Sequence, residues 1–166
     1  DLYRHEEFIR GVVTAPFSRL MCSPEVRDSA NGEDLLRRMQ TVCFSAQALI
    51  NGWRIPSPPW KQTNIGKNLA GIEMEEAEYY TDACRRLFEL RMSLLPYLYS
   101  AFVEYHQKGI PPIRPLCMEY PHDLQVRNID DEYFFGKDMV VCPLTPAQKG
   151  EREGYLPDGT WYALCR

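Results

Sequence analysis

Glu25, Arg27, Asn51 and Trp53 each stand just after a short apolar stretch, where a strand would hand over to a loop. A carboxylate at Glu25 can accept hydrogen bonds from ligand hydroxyls, brace a neighbouring polar group, or sit in solvent as one half of an ion pair. Asn51 offers a donor and an acceptor on one amide, which suits vicinal hydroxyls. Placed before Gly52, it also fits a turn-stabilising role. Trp53 and Trp60 present flat faces for stacking, or for packing the loop that carries them. Arg27 reads as half of a structural ion pair that lines the same edge.

Other reactive residue types are present but lack the spacing that chemistry needs. His5, His106 and His122 fall on expected helix surfaces or loops, away from strand ends, and none is assigned a catalytic role. The six cysteines (Cys22, Cys43, Cys84, Cys117, Cys142 and Cys165) form no Cys-x-x-Cys pair and have no histidine at metal-ligand spacing. Most have apolar neighbours, so they read as small buried hydrophobes with free thiols, with disulfides or zinc as the alternative. Free thiols favour a reducing compartment and thus a cytoplasmic location. No cofactor and no metal are expected. The net charge is −4 and the basic residues are dispersed among acids, which excludes a basic patch for nucleic acid. No apolar run approaches the roughly 20 residues that cross a bilayer, so no membrane partner is expected.

The elements that must position these residues follow from periodicity. Phe8, Ile9, Val12 and Val13 share one helical face. Residues 17–21 form a short apolar segment that reads as a buried strand. Asn31 offers a helix N-cap, with Glu33 and Asp34 in the favourable first turn. Leu35, Leu36, Met39, Val42 and Cys43 then give a second amphipathic helix, and residues 46–50 a second short buried strand. This alternation favours a parallel sheet covered by helices. Residues 51–68 break it with Pro56, Pro58 and Pro59, a loop of a length that often carries function.

One long helix is expected over residues 73–107, with Tyr80, Cys84, Leu87, Leu94 and Leu98 near one stripe. Arg91 lies in that stripe and needs a buried partner, for which an acid from the following β region is one candidate. Pro96 should kink the helix. Beyond Gly109 the character changes. Residues 110–115 are too proline-rich for a helix, and short strands follow at 133–135 and 139–142 around a Gly136-Lys137-Asp138 turn. A further hairpin is expected around Pro157-Asp158-Gly159. The fold class is therefore α/β then β, with a boundary near 109–116. At 166 residues the chain suffices for one domain, or one domain and part of another. It opens on Asp1 with no signal-like segment and stops just after a strand-like stretch. It therefore reads as a piece of a longer protein.

The second half resembles glycoside hydrolase family 31. The residues that carry the resemblance are Arg91, Leu94 and Pro96-Tyr97-Leu98-Tyr99, then Gly109, Pro111 and Arg114-Pro115-Leu116, then Glu119-Tyr120-Pro121 and Asp123. The same order continues through Asp130-Asp131, Phe135-Gly136, Asp138 and Val141-Cys142-Pro143. It closes with Tyr155-Leu156-Pro157 and Gly159-Thr160-Trp161-Tyr162. The first half is similar to the family's last barrel units, with Arg37, Gln40, Phe44 and Ser45 in place. Three positions depart: Leu49 stands where Arg is usual, Asn51 where His is usual, and Glu25 at an Asp position.

The resemblance implies that residues 1–108 are the last two βα units of a (β/α)8 TIM barrel. Residues 109–166 would begin the β-sandwich that follows. It implies a retaining α-glycosidase, which uses a carboxylate nucleophile and a second carboxylate as general acid/base. In the family both lie upstream of this stretch, so no catalytic residue is assigned here and the chain alone is expected to be inactive. What it would supply is a substrate-binding wall of Glu25, Arg27, Asn51 and Trp53, completed by the remainder of the barrel. The departures at Glu25 and Asn51 leave preference for glucosides, galactosides, N-acetylgalactosaminides or xylosides open. The competing reading is a non-catalytic carbohydrate-binding or scaffolding relative of the same fold.

Overall fold

In the computed structural model the described residues are 5–21, 29–50, 57–68, 71–146 and 150–164, together with the backbone of 25–26. The first helix, α1, is His5–Thr14, and it buries Ile9, Val12 and Val13 as their spacing requires. It tightens into a 3-10 turn over Ala15–Ser18, with Pro16 at its start. The turn stops at Arg19, which adopts a left-handed conformation (φ 57°). Residues 17–21 are thus not the buried strand expected from their apolar character. Phe17 and Leu20 are 60% and 65% exposed. Pro16 keeps the chain helical and Arg19 reverses it, so there is no room for an extended run.

The strand comes later, as β1 (Glu25–Val26). It pairs in parallel with β2 (Leu49–Ile50), Glu25 opposite Leu49 and Val26 opposite Ile50. Helix α2 (Gly32–Cys43) connects them. Its cap is the expected one: the Asn31 side chain accepts from the Asp34 backbone N–H at 2.9 Å. Leu35, Met39, Val42 and Cys43 are buried along one face, where Leu35, Met39 and Val42 meet Cys84 and Met74 in a shared core. The second strand is shorter than its apolar run and both its residues are exposed.

Two helices replace the single long one. α3 (Ala77–Ser93) ends at Leu94, and α4 (Leu95–Lys108) starts directly after it. Pro96 sits in the first turn of α4, where its missing N–H is not needed. The break therefore falls before the proline and not as a kink at it. α4 stops at Gly109, whose positive φ (72°) lets its N–H close on the Tyr105 carbonyl.

The rest is antiparallel: β3 (Ile113–Pro115), β4 (Tyr133–Phe135) and β5 (Met139–Val141), in that order, with a one-turn helix α5 (Leu116–Glu119) after β3. β4 is buried on both faces. Tyr133 and Phe135 join Ile9, Val13, Leu94 and Leu98. Phe134, on the opposite face, packs with Leu116 and Val126. Gly136 closes the β4–β5 turn at φ 65°, and a Cβ there would collide with the Tyr97 ring. Around Pro157 the expected hairpin does not form a ladder among the described residues. Instead the Tyr155 N–H is taken by the Glu132 carboxylate, and Trp161 donates to the Pro157 carbonyl at 2.7 Å.

Charged residues at the junction and on α1 find structural partners. Arg114 is buried, pairs with Glu119 and donates to the Pro111 carbonyl, a structural role. Asp130 pairs with Arg10 of α1, while Asp131 and Glu132 pair with Arg152. His5 is less exposed than expected for a surface helix residue, because its Nε2 lies 3.0 Å from the Asp34 carboxylate. Among the described residues there is no helix long and apolar enough to cross a membrane and no cluster that could hold a metal.

Candidate functional site

Because β1 and β2 run parallel, both hand over to loops at the same edge of the sheet. Glu25 lies within β1 and not after it, because the strand starts later than the apolar run suggests. Arg27, Asn51 and Trp53 lie outside the described residues, as does the side chain of Glu25. Asn51 follows directly on Ile50, the last residue of β2. What the structure describes is the chain that leads into β2 and the chain from Ser57 onward.

On one side is the end of α2. A helix leaves its last carbonyls without partners, and here the carbonyls of the last residue and the turn after it are met by buried side chains. Arg91 donates to the carbonyls of Cys43 at 2.9 Å, Ser45, and Ala46 at 3.2 Å. The Tyr133 hydroxyl donates to the Phe44 carbonyl at 2.8 Å. The Ser45 hydroxyl lies within hydrogen-bond reach of the Val42 and Gln47 carbonyls and closes the turn on itself. Arg91 is 7% exposed, and its guanidinium also lies 5.9 Å from the centre of the Phe135 ring. Its partners are thus backbone carbonyls and not an acid of the β region. The carbonyl end of a helix carries partial negative charge, which serves in place of a carboxylate.

On the other side are residues 57–68 of the loop after β2, which side-chain amides hold together. Gln62 is fully buried and accepts from the Ser29 N–H at 3.2 Å, so the loops after β1 and β2 are tied together. Asn68 donates to the carbonyls of Gln62 and Ile72 at 2.8 Å each, and its own oxygen accepts from the Ile72 N–H. Trp60 packs edge-on against Phe88 of α3, 5.3 Å between ring centres, which is loop packing.

Several described titratable groups have displaced pKa values. Burial raises the Asp34 carboxyl, but the His5 hydrogen bond and the Arg38 charge outweigh it and hold it below its usual range. Burial pushes the thiols of Cys43 and Cys84 up to about 11 and that of Cys142 up to about 12, so none is a thiolate at neutral pH. The geometry offers hydrogen bonding and shape, and no described group is poised as nucleophile.

Residues 109–166 match the glycosyl hydrolase family 31 C-terminal domain. Over 147 residues, 84% of this chain, it is 31% identical to alpha-glucosidase 2 of Bacillus thermoamyloliquefaciens. The chain belongs to glycoside hydrolase family 31. The lysosomal alpha-glucosidase of Bos taurus is 40% identical over 88 residues, 53% of this chain. Among solved structures, the cycloalternan-forming enzyme of Listeria monocytogenes, in complex with a pentasaccharide substrate, superimposes on 91% of this chain. Its TM-score is 0.75 at 25% identity, and 14% of that chain is covered. The family 31 stretch seen here spans 17% of the Bacillus enzyme and 9% of the bovine one.

Sequence reasoning misses Tyr133, Gln62 and Asn68. In sequence, Tyr133 is one more apolar residue of a strand. The two amides lie in a loop whose composition indicates only the absence of regular structure. Their one available signal is polar residues of high hydrogen-bonding capacity inside a proline-bounded segment.

Proposed function

We propose that this chain is one wall of the sugar site of a retaining α-glycosidase, with substrate contacts from Glu25, Arg27, Asn51 and Trp53. In this reading residues 1–108 close the catalytic barrel and 109–166 begin a β-sandwich. The nucleophile and the acid/base stand elsewhere in the full-length protein, and this stretch alone is inactive. The observation that carries the proposal is identity to an α-glucosidase across 84% of the chain. The parallel pairing of β1 with β2, two loops opening side by side, supports it. The departure at Asn51 makes the sugar preference differ from that of a glucosidase bearing His there. The buried, protonated thiols of Cys43 and Cys84 support a reducing compartment.

The test is hydrolysis of a panel of nitrophenyl α-glycosides by the full-length protein, wild type and Asn51→His. A change of preferred glycoside in the variant is expected. An unchanged preference removes Asn51 from the sugar site. Absence of both carboxylates from the upstream sequence would make the protein a non-catalytic relative.

A further inference from the structure

β5 is an outer strand of the antiparallel sheet. It pairs with β4 on one side and, among the described residues, with no strand on the other. Its three residues, Met139, Val140 and Val141, all line one cleft of about 820 Å³. A cleft lying over one face of a strand would touch alternate residues only, so this one runs along the free edge. Its two walls differ in origin. On the side of Met139 and Val141, Phe44 and Leu90 pack with them on one core, and Leu36 and Leu87 extend that wall along α2 and α3. On the side of Val140, Trp161 packs with it on another core, and Leu156 and Leu164 extend that wall. Leu156 and Leu164 are 49% and 55% exposed, apolar surface beside a row of backbone groups open to pairing.

We propose that this edge receives a further β-strand, supplied by the full-length protein from outside residues 1–166. The cleft dictates the strand's chemistry. Side chains of an added strand point alternately to the two walls, and each wall presents leucines and aromatic rings. The strand is therefore apolar on both faces and buried on both, as β4 is. Peptides that dock on a sheet edge are read through pockets for alternate side chains. A strand gripped on both faces is instead a built-in part of a fold. The length it needs is at hand, since the chain spans 17% of the Bacillus alpha-glucosidase and 14% of the Listeria enzyme. The proposal rests on the reading that residues 109–166 begin a β-sandwich, and on nothing in the sugar site. It adds which edge of the sheet grows and what the new strand lies against: α2 and α3 of the α/β region on one side, Trp161 on the other.

The experiment uses the full-length protein: amide hydrogen exchange over residues 133–141 at a low and a high protein concentration, and its crystal structure. All amides of 139–141, those turned away from β4 included, are expected to exchange on the order of a thousandfold more slowly than free chain, at both concentrations. The crystal structure is expected to show a strand from outside residues 1–166 hydrogen-bonded to 139–141, with apolar side chains toward both Leu87 and Trp161. Amides of 139–141 that exchange near the free-chain rate overturn the proposal. Protection that appears only at high concentration overturns it in favour of a second copy. A cleft filled by a helix, or by residues within 1–166, overturns it as well. The sandwich reading fails separately. A complete sandwich with β5 still at its margin removes only the added strand, whereas β3, β4 and β5 standing with no second sheet packed on them remove both.

Discussion

Arg91 and Arg114 are both buried, 23 residues apart on either side of the passage from helices to antiparallel strands. Their surroundings differ in kind. Arg114 is neutralised by a carboxylate, Glu119, five residues on, and its other contact is the Pro111 carbonyl three residues back. It organises its own neighbourhood. Arg91 pairs with no carboxylate among the described residues and reaches carbonyls 45 to 48 residues away in sequence. It joins elements. A local ion pair can be replaced by a local apolar pair. A cation that satisfies backbone carbonyls cannot, since the carbonyls remain whatever side chains surround them.

The largest effect that separates the two is expected from Arg91→Met. It leaves buried carbonyls without donors, each costing about 1–3 kcal/mol. The urea midpoint of the full-length protein should fall by the equivalent of about 3–5 kcal/mol, and no second substitution at a contacting side chain should restore it. Arg114→Met comes next, at about 1–3 kcal/mol, because it leaves the buried Pro111 carbonyl without its donor and takes the partner from a half-exposed Glu119. Here Arg114→Met with Glu119→Leu should recover the share of the loss due to the ion pair in the same titration, leaving only that of the Pro111 carbonyl. If that pair fails to recover, or Arg91→Met proves mild, the contrast between carbonyl-held and carboxylate-held arginines is broken.

A third arginine sharpens the contrast with the smallest effect. Arg38 is buried against Asp34 one turn away, and Asp34 is also held by His5. The folded-state carboxyl titrates below its usual range despite its burial. A depressed carboxyl contributes stability that is fully present above the unfolded value, about 4, and lost as pH falls through the folded value. Asp34→Asn should therefore lower stability at pH 7. Its melting curve should converge on that of wild type below that range. A gap that persists at low pH would assign the effect to packing and not to charge.

Where side-chain type carries the information, the sequence is legible. The α1 face, the Asn31 cap, the buried stripe of α2 and the turn between β4 and β5 all follow from residue spacing and emerge in place. Parallel pairing of two short strands also follows from the alternation of elements. The misses have a common cause. The partners of Arg91 are carbonyls, which every residue possesses, so composition cannot single out the ones it binds. Residues 17–21 are apolar enough for a strand, but the backbone at Arg19 decides otherwise. Pro96 has the character of a disruption inside a helix, whereas it starts one. For the candidate site, the edge itself is legible from the strand-to-loop order. The proposed contacts Arg27, Asn51 and Trp53, with the Glu25 side chain, lie outside the described residues.

β4 carries Tyr133, Phe134 and Phe135 in succession, all buried, two facing one way and one the other. In most strands the alternation of apolar and polar residues fixes the pairing register, since a slip by one residue would expose the core face. Three consecutive aromatic residues carry no such signal: a slipped strand would still bury rings on both sides. The degeneracy is broken by one oxygen atom. Only in the native register does a hydroxyl meet the Phe44 carbonyl, and a slip would bring an aromatic edge against a bare acceptor. In a strand whose hydrophobicity cannot count its own residues, the Tyr133 phenol does the counting.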